Sequence, residues 1–131
     1  MTPRDLGERF LAKAAQDEAL IDRVITAQDI ADETIGFHLQ QAAEKLLKAV
    51  LAANTIAFRR THDLVDLSDT LKDAGLPVPI ALAQLDALNP FAVEARYDFL
   101  PSSSAPLDRA GMRQLVRALR TWAEALVHSI P

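Results

Sequence analysis

The segment from about Asp29 to Ala53 constrains this chain more than any other. Apolar residues recur at Ile35, Leu39, Ala42, Leu46 and Ala49, in steps of four, three, four and three, and Ala43, Leu47 and Val50 widen the seam. That spacing is the helical period. A helix apolar round most of its circumference has to be covered on several sides, so the pattern predicts the central staff of a helical bundle. One narrow polar stripe interrupts it. His38, Gln41, Lys45 and Lys48 fall within about 80° of one another on a helix.

Four further segments carry helical signals. The first runs from about Pro3 to Ile25, with Thr2 as N-cap, Pro3 at the first helical position, and Leu6, Phe10, Ala14, Leu20, Ile21 and Val24 as its apolar stripe. Thr26 or Asp29 caps the second helix. Thr61 caps a third, in which Leu64, Leu67 and Leu71 share a face and Gly75 is the C′ stop. The fourth spans about Ile80 to Tyr97. Pro90 lies inside it and cannot donate an intrahelical hydrogen bond, yet Leu85, Leu88, Phe91, Ala92 and Ala95 keep one face across it, so a kink is expected. Asp98 to Asp108 is a Pro- and Ser-rich loop. The fifth helix, from about Asp108 to Ser129, carries an apolar seam from Met112 to Ile130, with Arg113, Arg117, Arg120 and Glu124 on the opposite side. Nothing alternates like a strand. The expectation is an all-α, up-and-down bundle of four to five helices with a kinked fourth helix, forming one domain over residues 1–131.

Composition narrows the function classes. A net charge of −4 argues against broad electrostatic capture of nucleic acid, although a small basic pocket remains compatible with it. The sequence has no cysteine, hence no thiolate nucleophile and no cysteine-based metal site. The three histidines, His38, His62 and His128, are scattered without metal-ligand spacing, so no metal is expected. The sequence has no Gly-rich phosphate loop and no serine-nucleophile motif, so no cofactor is expected either. No apolar run approaches the roughly 20 residues that span a bilayer, and no leader pattern opens the chain. A cytoplasmic protein without membrane contact is expected.

Each candidate side chain has two readings. The His38–Gln41–Lys45–Lys48 stripe holds two ammonium groups and an imidazole suited to a phosphate, with Gln41 placed to read a base edge; alternatively it is a solvated face with Glu44 and Lys48 as an i,i+4 ion pair. Thr61, His62 and Asp63 open the third helix, an end that can bind an anion or can simply be capped, with His62 bonding across to another helix. Arg96 and Tyr97 end the fourth helix, where arginine suits phosphate recognition and tyrosine offers a stacking face. The other reading there is an ion pair of Arg96 with Glu44 or Glu94. Arg113, Arg117 and Arg120 form the most basic line of the chain, readable as an RNA or acidic-partner contact or as a solvated face.

Three islands occur in order: Phe37-His38-Leu39-Gln40-Gln41-Ala42-Ala43-Glu44-Lys45-Leu46-Leu47-Lys48-Ala49, then Arg60-Thr61-His62-Asp63-Leu64, then Ala92-Val93-Glu94-Ala95-Arg96-Tyr97. Together they resemble the HEPN domain family (higher eukaryotes and prokaryotes nucleotide-binding). The resemblance implies a bundle of four to five helices, commonly dimeric. It also implies a frequent association with a minimal nucleotidyltransferase and roles in toxin–antitoxin, defence or stress systems. One branch of the family consists of metal-independent ribonucleases carrying an arginine, four to six residues, then a histidine. This chain departs from that motif. After Arg96 the positions for the histidine hold Pro101, Ser102 and Ser103, and seven residues separate Arg120 from His128. Without a base for the 2′-hydroxyl and an acid for the leaving oxygen, an arginine only stabilises developing charge. The expectation is a binding module with no catalytic residues of its own, taking a nucleotide or docking a nucleotidyltransferase through Arg96, Tyr97, His62 and Lys45. RNA is a less favoured ligand. Two alternatives stand: a ribonuclease toxin using His62 or His128 across a dimer interface, and a structural dimer without a small ligand. The wide apolar face of the fifth helix leads us to expect a homodimer.

Overall fold

A computed structural model describes residues 1–92 and 106–131. Among the described residues there are five α-helices: α1 (Pro3–Val24), α2 (Asp32–Ala53), α3 (Leu64–Asp73), α4 (Leu82–Leu88) and α5 (Arg109–His128), with a 3₁₀ turn at Asn89–Ala92 after α4. The all-helical bundle is the architecture the apolar periodicity predicts. The expected reach of the fourth helix to Tyr97 lies outside the described residues.

Helix α2 is the staff. Leu39, Leu46, Leu47 and Leu51 are fully buried, and the helix touches α1, α3, α4, the 3₁₀ turn and α5. Each such leucine contributes roughly 1.5–3 kcal/mol by leaving water. The antiparallel α1–α2 pair forms the most extensive contact among the described helices. Close approach is possible because Gly7 faces α2. A Cβ at Gly7 would sit 2.9 Å from both the Ala49 carbonyl oxygen and the Ala53 Cβ. Near the other end of α2, Gly36 leaves room for the Phe91 ring, which occupies the space a Cβ would take. The turn at Pro90 thereby aims an aromatic ring at α2. The missing N–H of proline is tolerated because the backbone tightens into a 3₁₀ turn there.

Several local expectations need correction. Helix α2 begins at Asp32 with Ala31 as its N-cap and no side-chain cap bond, so neither Thr26 nor Asp29 caps it. The preceding turn is held from outside instead. Arg109 donates to the carbonyls of Ile25 (3.2 Å), Ala27 (2.9 Å) and Ile30 (2.6 Å) and to the Asp32 carboxylate (2.9 Å). Helix α3 is capped by Asp63, which accepts from the N–H groups of Val65 and Asp66, while the Thr61 hydroxyl accepts from Asp63 N. On α1, Leu6 and Leu20 are exposed, and the core face is Leu11, Ala14 and Ile21. Capping of α1 by Thr2 holds, as a reciprocal box with Asp5.

Two of the three arginines read as a solvated face of α5, Arg113 and Arg120, are instead paired against α1. Arg113 is buried and donates to Asp22 (2.6 Å) and Glu18 (3.2 Å) on α1. Arg120 donates to Glu18 (2.7 Å), Glu124 (2.8 Å) and the Leu11 carbonyl (2.9 Å). Helix α1 covers this flank of α5 and brings two carboxylates to it. Arg117, more exposed, stands 3.9 Å from Asp22. The apolar seam of α5 is spent on the core: Leu115, Val116, Leu119, Ala123 and Val127 are buried, and Met112, Trp122, Leu126 and Ile130 pack against the same cluster.

These contacts set an acid limit on the fold. The hydrogen bond from Arg113 holds the Asp22 carboxyl below its ordinary value, and the Leu107 N–H, then Arg109, does the same for Asp32. A carboxyl depressed in the folded state stabilises the protein above its unfolded pKa, and that stabilisation is lost as pH falls through the folded value. Urea midpoints should therefore be flat near neutrality and drop below pH about 4. Asp32→Asn should remove part of that drop.

Candidate functional site

The polar stripe of α2 is built over two buried carboxylates, one from α1 and one from α2 itself. Asp17 of α1 accepts from His38 Nδ1 (2.9 Å) and Lys45 Nζ (2.6 Å). Glu44 accepts from Gln40 Nε2 (3.2 Å), Lys48 Nζ (3.0 Å) and His62 Nδ1 (2.8 Å). Gln40 also donates to the His62 carbonyl (2.9 Å) and accepts from Gln41 Nε2 (2.8 Å). A continuous chain of polar contacts thus joins Gln41, Gln40, Glu44, Lys48 and His62. Among the described residues, no buried side-chain nitrogen or oxygen lacks a partner, as a folded interior requires.

Helical geometry explains the division of labour. Lys45 and His38 lie on the flank of α2 that meets α1, seven residues or about two turns apart, so both reach the same carboxylate. Glu44 and Gln40 are one turn apart on the other flank, where the chain returns at His62 to begin α3. Glu44 therefore fixes the position of the α2–α3 connection as well as the side chain of His62.

Exposure separates the groups. The side chains of Lys45 and Lys48 are 26% and 14% exposed, whereas that of His62 is 67% exposed. A carboxylate only accepts hydrogen bonds, so Nδ1 of His62 carries the proton toward Glu44. Nε2 is left on the solvent side of a ring whose orientation is fixed. Each lysine uses one of its three N–H donors on a carboxylate and keeps the others. Lys48 also lies over the Phe58 ring, 6.0 Å from its centroid, within cation–π range.

The structure brings five of the sequence-selected residues, His38, Gln41, Lys45, Lys48 and His62, into this region. Arg96 and Tyr97 lie outside the described residues. His128 is the last residue of α5 and exposed. The N-terminus of α3 has no spare N–H groups for an anion: Leu64 N donates to Asn89 Oδ1 (2.9 Å), and Asp63 takes those of Val65 and Asp66. An open cavity of about 340 Å³ lies beside it, lined by Asp63, Val65, Leu82, Ala83 and Asp86. Its two carboxylates oppose anion binding, and none of the stripe residues lines it. The described residues include no cluster of histidine and acidic side chains suited to a metal ion, and no described helix is long and apolar enough to cross a membrane.

Sequence reasoning missed Asp17 and Arg109. Asp17 sits mid-helix with nothing local to mark it, and its partners are 21 and 28 residues away. The i,i+4 spacing did reveal the Glu44–Lys48 pair.

An all-helical module whose central helix carries a polar stripe stapled to buried carboxylates is the class that fold and site define together. A model of the HEPN domain matches residues 9–126, and the chain belongs to the HEPN domain family. No curated protein and no solved structure matches it.

Removing Glu44 tests the staple. Glu44→Ala leaves Lys48, Gln40 and His62 without their shared acceptor and should cost about 3–5 kcal/mol in denaturant unfolding, the range for breaking a buried ion pair. His62→Ala should cost only about 1 kcal/mol, because solvent screens that exposed side chain. Equal losses for the two would contradict the assignment.

Proposed function

We propose that this HEPN domain is a binding module without catalysis of its own. It takes the phosphate end of a nucleotide along the α2 stripe, alone or while docked to a minimal nucleotidyltransferase in a toxin–antitoxin, stress or defence system. The observation that carries the reading is the spare donor capacity of a fixed row. Lys45 and Lys48 are held by Asp17 and Glu44, and His62 by Glu44, at 2.6, 3.0 and 2.8 Å. Each lysine retains N–H donors on its outer side, and His62 donates from Nε2 only when its ring is protonated. Groups already ordered lose little further conformational entropy when a ligand arrives. Arg96 contributes a guanidinium to the phosphate and Tyr97 a stacking face to the base.

The ribonuclease reading has one observation of its own. A buried carboxylate orienting an exposed imidazole, Glu44 with His62, is the arrangement that prepares a general base. It lacks an identified acid, and the histidine expected after Arg96 is replaced by Pro101, Ser102 and Ser103.

Titration calorimetry with a nucleoside triphosphate, beside an RNA-cleavage assay in chelator, separates the two. Binding that weakens about tenfold in Lys45→Ala, His62→Ala or Arg96→Ala, without RNA cleavage, is the expected result; the factor is that of losing one charge-assisted hydrogen bond of about 1.4 kcal/mol. Cleavage in chelator that is abolished by His62→Ala or Arg96→Ala would replace this reading with the enzymatic one.

A further inference from the structure

Two imidazoles of this chain are paired with buried carboxylates, and they differ in access. His38 Nδ1 stands 2.9 Å from Asp17, and His62 Nδ1 stands 2.8 Å from Glu44. The His38 side chain is 23% exposed, shares its carboxylate with Lys45 at 2.6 Å, and has the edge of the Phe37 ring against it. The His62 side chain is 67% exposed over a Glu44 side chain that is 6% exposed. Its backbone is held as well, by the Gln40 amide donating to its carbonyl at 2.9 Å. His128, also exposed, ends α5, and the acid one turn before it, Glu124, is taken by Arg120 at 2.8 Å.

Fixing the proton of His62 on Nδ1 has a chemical consequence. The neutral ring then carries its free lone pair on Nε2, on the solvent side. As Nε2 attacks an electrophile, positive charge develops on the ring against the Glu44 carboxylate, and no proton has to leave. The surroundings suit an anionic electrophile. Lys48 Nζ sits on the other oxygen of Glu44 at 3.0 Å, and Arg60 is exposed two residues before His62. The adjoining acid, Asp63, is turned onto the N–H groups of Val65 and Asp66.

We propose that His62 is a phosphoryl-acceptor histidine, modified on Nε2 by a donor whose phosphoryl group is itself held on nitrogen. The Nε2 lone pair attacks phosphorus and the Nε2–P bond forms. The donor's N–P bond breaks, and its nitrogen leaves with that electron pair and the protons it already carries. The ring gains one positive charge, which Glu44 compensates while Nδ1 keeps its proton. One N–P bond replaces another, so the exchange is nearly balanced in energy. Glu44 acts through His62 and is a positioning residue. The modification goes beyond nucleotide binding along the α2 stripe and does not require it.

Phosphoramidate at pH about 8, above the ordinary imidazole range, is the probe for the full chain. Mass spectrometry in alkaline buffer follows each histidine over time, and phosphorus–proton correlation NMR places the group on the ring. His62 should be modified at least about tenfold faster than His128, the gain from one charge-assisted hydrogen bond in the transition state, and on Nε2 alone. His38 should lag behind His62. Glu44→Gln keeps an acceptor oxygen for Nδ1 without the charge, and should bring the His62 rate down to that of His128. Equal rates at His62 and His128 in the wild type, or a phosphoryl group on Nδ1 of His62, would overturn the proposal without recourse to any variant. So would a His62 rate unchanged in a folded Glu44→Gln protein.

Discussion

The carboxylate of Glu44 is the constraint on which the polar side of this bundle depends. It is buried on the central helix, where an unpaired charge is costly. Three donors from two places in the chain have to converge on it: Gln40 and Lys48 from the same helix, and His62 from the entry to α3. Meeting that demand brings the α2–α3 connection onto α2, adds a hydrogen bond from Gln40 to the His62 carbonyl, and leaves one imidazole facing solvent in a fixed orientation. A structural requirement and a candidate ligand contact are thus the same interaction.

Asp17 repeats the device on the other flank of α2, and Glu18 with Asp22 repeats it between α1 and α5. The result is a bundle whose apolar core is bordered by ion pairs joining α1 to α2 and α1 to α5. Breaking one partner of a buried pair costs more than the pair contributes in net stability. Such pairs therefore favour one register of helix against helix over its neighbours. Gly7 adds a steric limit of the same kind, because any side chain there would collide with Ala49 and Ala53.

The bundle was legible in the sequence because burial imposes periodicity, and the seam through Leu39, Leu46 and Val50 records it directly. The proline at position 90 was legible as an interruption, since the missing N–H acts locally. What escaped is what depends on a second helix. Arg113 and Arg120 fall away from the apolar seam of α5, and one helix alone cannot show that Glu18 and Asp22 of α1 lie against that flank. Leu6 and Leu20 fit an apolar stripe on α1, yet the core is centred on Leu11, Ala14 and Ile21. The α3 cap fell two residues later than expected because Thr61 and Asp63 both have capping side chains, and the start of α3 relative to α2 chooses between them. At the stripe, the basic residues could be read from sequence but their acceptor Asp17 could not.

The assignment of Glu44 as the residue that orients His62 carries the account, and the tautomer of that ring tests it most directly. Long-range nitrogen–proton correlation NMR distinguishes a proton on Nδ1 from one on Nε2 when the ring is neutral. The account requires His62 to carry it on Nδ1 in the wild type, bonded to the Glu44 carboxylate, and to lose that preference in Glu44→Ala. A wild-type His62 with its proton on Nε2 would mean that Glu44 does not hold the ring, and the staple on which the candidate site rests would be absent.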